Sequence, residues 1–192
     1  MNTNSLSDDE KLRLLVLARQ SIEAAVNHRS LPVLDLAALP PSLREKGASF
    51  VTLTEGEARL RGCIGALEAY QSLAEDVCEH AAAAATEDYR FSPVRPEEVA
   101  GLHIEVSRLT APFPLEYDSP EDLLRCLRPG IDGVILRDGH QRATFLPQVW
   151  EQLPSPAEFL SHLCQKMGAS TNLWRKKKLQ VLVYQVDEFH ES

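Results

Sequence analysis

A cysteine and an arginine stand two positions apart in the segment Leu60–Gly65, whose sequence is Leu-Arg-Gly-Cys-Ile-Gly. If this segment forms a β-strand, alternate side chains project from one face, and Arg61 and Cys63 lie side by side. The thiolate is the reactive form of cysteine, and a nearby cation favours it. The pair therefore predicts a nucleophile or thiolate ligand at Cys63, with Arg61 stabilising the thiolate or holding an anionic substrate.

The two glycines of the same segment support a site. Glycine inside a strand marks a bulge or a place where a ligand or another chain comes close to the backbone. The opposite interpretation is also open, because free cysteine is among the most often buried residue types and usually behaves as a small hydrophobe. On that interpretation Cys63 is only part of the packing.

A β-hairpin positions these residues. Residues 48–54 are rich in strand formers, Glu55-Gly56-Glu57 is typical of a turn, and residues 58–64 alternate again. Strict alternation puts one set on the core side and another on the opposite side. The core set is Ala58, Leu60, Gly62 and Ile64; the opposite set is Arg59, Arg61, Cys63 and Gly65.

The segment resembles the six-residue signature of the family named after the AMME syndrome chromosomal region, whose prokaryotic members are called AmmeMemoRadiSam system protein A. Five further blocks resemble that family in the same order and extend the likeness over residues 8–188 as one domain of two lobes. The blocks are 88–94 (Asp-Tyr-Arg-Phe-Ser-Pro-Val), 102–107, 132–136, 143–149 and 158–166. Tyr89 departs from the family, which more often has proline there.

The resemblance implies an α+β fold of two subdomains, with a cleft partly lined by the signature. It also implies a pathway shared with Memo-like and radical-SAM proteins, which are the candidate partners. The implied ligand-binding residues are the six signature residues together with Arg90 and Lys166. For the last two, a surface charge and a helix C-terminal cation are the alternative interpretations.

The remaining elements follow from periodicity. Helices are predicted over residues 8–27, 72–87, 120–127 and 156–168, strands at 102–107 and 179–184, and a hairpin of 133–137 with 140–146 that turns at Asp138-Gly139. His80 falls off the apolar stripe of the second helix and is expected to be exposed. The short turns between strands favour antiparallel pairing. The predicted fold is α+β, with two subdomains that share one core, a mostly antiparallel sheet built from hairpins, and a cleft near residues 60–65.

Composition excludes several classes of protein. The chain has 192 residues, 44% of them hydrophobic and 25% charged, which is typical of a globular protein. Its net charge of −8 argues against nucleic acid as a partner, because such binders need a basic surface. The polar N-terminus, Met1 to Asp9, lacks the apolar core of a signal peptide, and no apolar run is long enough to span a membrane.

Four cysteines occur, at positions 63, 78, 126 and 164, without paired C-x-x-C spacing. Neither a metal site nor a bound cofactor is predicted, since zinc, iron–sulfur and dinucleotide-binding patterns are all missing. Reduced thiols in a chain without a signal peptide predict a cytoplasmic protein.

Two functions remain open at this stage. In the first, the protein is an enzyme or part of one that acts on a small ligand through Cys63, with His103, His140 or His162 as candidate bases. In the second, it is a non-catalytic binding or adaptor domain in which Cys63 is packing. The charged hairpin tip at Arg137, His140 and Arg142 is either an anion site or a solvated edge.

Overall fold

The computed structural model describes residues 5–191, so the first four residues of the polar N-terminus lie outside it. The chain divides into two compact units. One consists of the described residues up to Thr110 together with those from Asp187 onward, and the other of Ala111–Val186. Each unit has its own sheet and its own buried hydrophobic cluster. The α+β class and the antiparallel pairing are thus confirmed, whereas the predicted single shared core is replaced by two.

The first unit combines helices with a four-stranded sheet in the order β2-β1-β3-β8. Its helices are α1 (Asp8–Val26), the short α2 (Pro41–Arg44) and α3 (Leu73–Thr86). Its strands are β1 (Ala48–Glu55), β2 (Arg59–Gly65), β3 (Leu102–Leu109) and β8 (Val186–His190). The unit also contains two 3₁₀ helices, one of three residues at Leu36–Ala38 and one of six residues at Pro96–Gly101.

Capping boxes fix the starts of the two long helices in this unit. At α1, the hydroxyl of Ser7 accepts from the backbone N–H of Glu10, and the Glu10 carboxylate accepts from the N–H of Ser7 at 2.7 Å. Ser72 and Glu75 repeat the arrangement at α3. Both helices bury an apolar face in the cluster that also contains Val51 of the sheet.

Polar side chains are also buried beneath α3. Asp76 is fully buried and accepts from the Ser49 hydroxyl at 2.6 Å, while Nδ1 of His80 lies 3.1 Å from the same oxygen. The helical stripe predicted an exposed His80, and this was wrong because α3 is covered by both α1 and the sheet. A buried polar ring must find a partner, and Asp76 supplies it.

The second unit contains a sheet in the order β4-β7-β5-β6. Its strands are β4 (Phe113–Pro114), β5 (Gly133–Asp138), β6 (Gln141–Phe145) and β7 (Gln180–Tyr184). Its helices are α4 (Pro120–Cys126), α5 (Pro156–Lys166) and α6 (Leu173–Lys176), with a 3₁₀ helix at Pro147–Glu151. Trp150 stacks on Phe159 with ring centroids 3.7 Å apart inside its cluster.

The β5–β6 hairpin turns one residue later than Asp138-Gly139 predicted. Asp138 pairs with Gln141 and Arg137 with Arg142, so Gly139 and His140 form the turn. Arg137 therefore faces Arg142 rather than His140.

Among the described residues, no helix combines the length and the apolar character that crossing a bilayer requires.

Candidate functional site

The segment Leu60–Gly65 lies in β2, an edge strand whose register with β1 is interrupted. Thr52 pairs with Cys63 and Leu53 with Gly62, but Thr54 pairs with Leu60. Arg61 is thus the extra residue of a β-bulge, where two residues of one strand oppose one of the other. The bulge changes the predicted faces, because residues before and after it no longer alternate strictly.

Directly paired residues of an antiparallel sheet share a face. Leu60 therefore projects with Cys63, on the side opposite the core, and the prediction that Leu60 belongs to the core set was wrong. Its side chain is 38% exposed. Gly62 and Ile64 do face the core side, opposite the fully buried Leu53 and Val51.

Gly62 is where α3 approaches β2 most closely. A Cβ at this position would lie 2.1 Å from the backbone oxygen of Ala84. Gly65 is equally crowded on the other side of the strand, since a Cβ there would lie 2.4 Å from the ring of Phe50. Both glycines of the signature are therefore required by packing around Cys63.

A charged pair holds the backbone of Cys63 from the free edge of the strand. Asp88, just after α3, accepts the N–H of Cys63 at 2.8 Å, and Nη2 of Arg90 donates to the Cys63 carbonyl at 3.1 Å. Arg90 also binds Asp88 through Nε at 2.9 Å and Nη2 at 2.7 Å. Both polar backbone groups of Cys63 are thus fixed by ionised side chains.

The electrostatics of this pair are strong. The hydrogen bonds from the Arg90 guanidinium, with those from the backbone N–H groups of Cys63 and Arg90, hold the pKa of Asp88 far below its usual range despite burial. The pKa of Arg90 is raised, chiefly by its bonds to Asp88, with smaller contributions from negative charge at neighbours that include Cys63. Asp88 therefore stays ionised at every ordinary pH.

Arg61 holds the segment that runs along the same edge. Its guanidinium donates to the Ser92 carbonyl at 2.9 Å and the Pro93 carbonyl at 3.3 Å, and its Nε lies 3.2 Å from Glu98. Backbone N–H donation at Arg95, then the Arg61 guanidinium, lower the pKa of Glu98 to about 2. In its described contacts, Arg61 therefore anchors residues 92–98. The guanidinium that bonds to Cys63 belongs to Arg90 instead.

The Cys63 thiol is half-buried and has a polar neighbour on the outer face. The hydroxyl of Thr52 donates to its sulfur at 3.3 Å. Because the N–H and C=O of Cys63 both bond outward to Asp88 and Arg90, Cys63 and Thr52 form a non-hydrogen-bonded pair, in which side chains lie closest.

Two of the other three thiols differ from Cys63 in exposure. Cys78 and Cys164 are buried, and burial raises the pKa of both. Cys126, at the end of α4, is half-buried like Cys63. It provides an internal reference for any measurement on Cys63.

Thr52, Asp88 and Glu105 are the residues that strand and helix patterns did not single out for this site. Thr52 could be identified only from the register of β1, whereas Asp88 belongs to the block that resembles the family. Glu105 pairs with Thr52 from β3, so it shares the face of Cys63. Burial, followed by the charge of Glu188, raises its pKa.

Three of the remaining predicted residues belong to the second unit, and one belongs to β3 of the first. Lys166 ends α5 in the second unit, where its ammonium donates to the Thr144 carbonyl at 3.0 Å and lies over the Phe145 ring. Of the candidate bases, His140 and His162 belong to that unit as well. His103 lies on β3, where it pairs with Thr54 of β1, and its side chain is exposed.

Fold and site together define an α+β protein of two units whose first sheet carries a clamped, cysteine-bearing edge strand. The sequence profile of the AMMECR1 family matches residues 15–189. The chain therefore belongs to the AMMECR1 family, which confirms the family resemblance of the signature and its accompanying blocks.

Relatives of similar length support the assignment. A protein of Methanothermobacter thermautotrophicus is 40% identical over 97% of both chains, and one of Thermofilum pendens is 39% identical over 97% of this chain and 92% of its own. The crystal structure of the uncharacterised protein PH0010 from Pyrococcus horikoshii has a TM-score of 0.78 and 33% identity, covering 97% of this chain and 94% of that one.

Proposed function

We propose that the protein is an enzyme, or a component of one, that acts on a small ligand through the Cys63 thiol. The site is built by the signature Leu60–Gly65 with Arg90, and the pathway is one shared with Memo-like and radical-SAM proteins. The observation that carries the proposal is the clamp of Asp88 and Arg90, which fixes the backbone of Cys63, a residue that is only half-buried. A reacting atom gains most from such fixed positioning.

The chemistry follows from the surroundings of the sulfur. A thiolate at Cys63 forms an S–C bond with an electrophilic carbonyl carbon of the ligand, while the π pair of the C=O bond moves onto the carbonyl oxygen. The Thr52 hydroxyl donates to the sulfur before attack. Lys166, in the second unit, stays a separate candidate for a ligand-binding cation.

Cytoplasmic localisation belongs to the same proposal. All four cysteines are free, which suits a reducing compartment. Reduced thiols are also what a cysteine nucleophile requires.

A thermal-shift screen of metabolites and nucleotides tests the function. We expect small ligands that raise the melting temperature of the wild-type protein to lose most of that shift in Cys63→Ala, because the ligand loses its covalent or close contact with sulfur. Cys126→Ala, which removes the other half-exposed thiol, should keep the shift. Intact-mass analysis of the hits should place any adduct on Cys63.

A non-catalytic binding domain is the second candidate, and one observation favours it. Tyr89, between the two residues that clamp Cys63, is 94% exposed, and Leu60 on the thiol's face is partly exposed. Tyrosine is enriched among the residues that contribute most to binding at protein interfaces. In that case Tyr89→Ala abolishes the ligand-induced shift, whereas Cys63→Ala retains it.

A further inference from the structure

Three side chains stand in a row across the first sheet. Thr52 in β1 pairs directly with Cys63 in β2 on one side and with Glu105 in β3 on the other. Side chains of directly opposed residues share a face, with Cβ atoms about 4.5–5.5 Å apart. The Thr52 hydroxyl already contacts the sulfur at 3.3 Å. Residues that bear a thiol, a hydroxyl and a carboxyl group therefore stand in that order across the outer face of the sheet.

We propose that Glu105 accepts the proton of Cys63 and that the Thr52 hydroxyl relays it. The inference rests on the proposed function, because it supplies the base that a cysteine nucleophile needs. No histidine is required for the step, and the predicted bases His103, His140 and His162 have no part in it.

The relay balances without a further reactant. The Sγ–H bond of Cys63 breaks and its proton passes to Oγ1 of Thr52, while the original Oγ1–H proton passes to the Glu105 carboxylate. The products are a Cys63 thiolate, an unchanged hydroxyl and a neutral carboxylic acid. The new O–H of Thr52 then donates to the thiolate, as in the hydrogen bond observed here.

The surroundings of the carboxyl group suit a proton acceptor. Burial raises the pKa of Glu105, the negative charge of Glu188 raises it further, and His190 opposes them. A carboxylate with a raised pKa is more basic near neutral pH, where a cysteine must lose its proton. Glu188 and His190 come from β8, the strand beside β3.

Other charged groups on neighbouring elements complete the environment. His103 shares the outer face with Glu105, because it pairs with Thr54, two residues from Thr52 on β1. At the other end of the row, Arg90 and Asp88 bind the backbone of Cys63 from the strand edge. These two carry opposite charges and bind one another, so they do not replace a proton acceptor at the sulfur.

The pH dependence of iodoacetamide alkylation tests the relay. The rate at Cys63 is measured by peptide mass mapping, with Cys126 in the same molecule as the reference. We expect Glu105→Gln and Thr52→Val each to slow Cys63 at neutral pH by about a hundredfold, the lower end of what a positioned base contributes. Their rates should recover at high pH, where hydroxide removes the proton.

Two matched variants separate a relay from a change in packing. Thr52→Ser keeps the hydroxyl and should retain the wild-type pH profile. Thr54→Val makes the same substitution as Thr52→Val on the same strand face, beside Leu60, and should leave Cys63 unchanged. Circular dichroism and thermal melts establish that each variant is folded.

The outcomes distinguish the relay from the function on which it rests. A wild-type pH profile in folded Glu105→Gln or Thr52→Val would overturn the relay and leave a reactive Cys63 standing. A wild-type Cys63 that alkylates no faster than Cys126 would overturn both. Slowing in both variants together with normal behaviour of Thr52→Ser supports the relay.

Discussion

A Gly62→Ala variant is expected to lose about 3 kcal/mol of unfolding free energy, at the upper end of the cost of overpacking a core. The added Cβ would lie 2.1 Å from the Ala84 oxygen and 3.1 Å from its carbonyl carbon. Both are backbone atoms of α3, so no side-chain rotation relieves the overlap. Either α3 or β2 must move, and the clamp on Cys63 moves with the strand.

Urea unfolding measures this loss, and Gly101→Ala is the matched control. A Cβ at Gly101 meets nothing within 4 Å, so that variant should stay within about 0.5 kcal/mol of the wild type. Equal midpoints for Gly62→Ala and Gly101→Ala would show that α3 does not contact β2 as described. The bulge and the faces derived from it would then be wrong as well.

Asp88→Ala is expected to cost about 2–3 kcal/mol and to slow alkylation of Cys63. The substitution leaves the N–H of Cys63 and the guanidinium of Arg90 without their shared acceptor. Unsatisfied buried groups of this kind cost about 1–3 kcal/mol each, and the partly exposed Arg90 recovers some of this from water. Without the clamp the strand edge loses the fixed position of its thiol.

The pH dependence of this variant has a defined sign. The folded-state pKa of Asp88 lies below its unfolded value of about 4, so its stabilising contribution is present above that pH. The contribution is lost as pH falls through the folded-state pKa. The gap in stability between wild type and Asp88→Ala should therefore narrow steadily as acid is added below about pH 4.

Urea titrations at several pH values follow the gap. Glu57→Ala is the control, because Glu57 is an exposed acid in the turn of the same hairpin. Its free energy of unfolding should stay within about 0.5 kcal/mol of the wild-type value. A gap for Asp88→Ala that stays constant down to strongly acid pH would contradict the ion pair with Arg90.

The elements around the site were largely predictable from the sequence. The helix predicted over residues 8–27 is observed as Asp8–Val26, and the one over 72–87 as Leu73–Thr86. Each is marked by a capping box and an apolar stripe, which are local signals. The hairpin that carries Cys63 was likewise visible in its alternation and its turn.

The predictions that were wrong concern features that depend on partners distant in sequence. The bulge at Arg61 is a property of the register between β1 and β2, and strict alternation along one strand does not reveal it. The strand β8 was missed because its partner β3 lies far earlier in the chain. His80 was placed on the exposed face, since a single helical stripe does not indicate a second covering element.

The site residues divide in the same way, into those indicated by the local sequence and those that depend on distant partners. Cys63 was identified from its type and its glycine neighbours, and Arg90 from the family block alone. Arg61 was expected beside the thiol, but the bulge and the carbonyl groups of Ser92 and Pro93 direct its guanidinium to the edge segment. Thr52 became visible only once the strands were paired.

Mass-mapped alkylation of the four cysteines in the folded wild-type protein at neutral pH tests the central claim most directly. We expect Cys63 to react first and clearly faster than Cys126, which is equally half-buried but lacks the clamp, with Cys78 and Cys164 slowest because both are buried. If Cys63 proves the slowest of the four, its sulfur is packing and the proposed thiol chemistry does not take place.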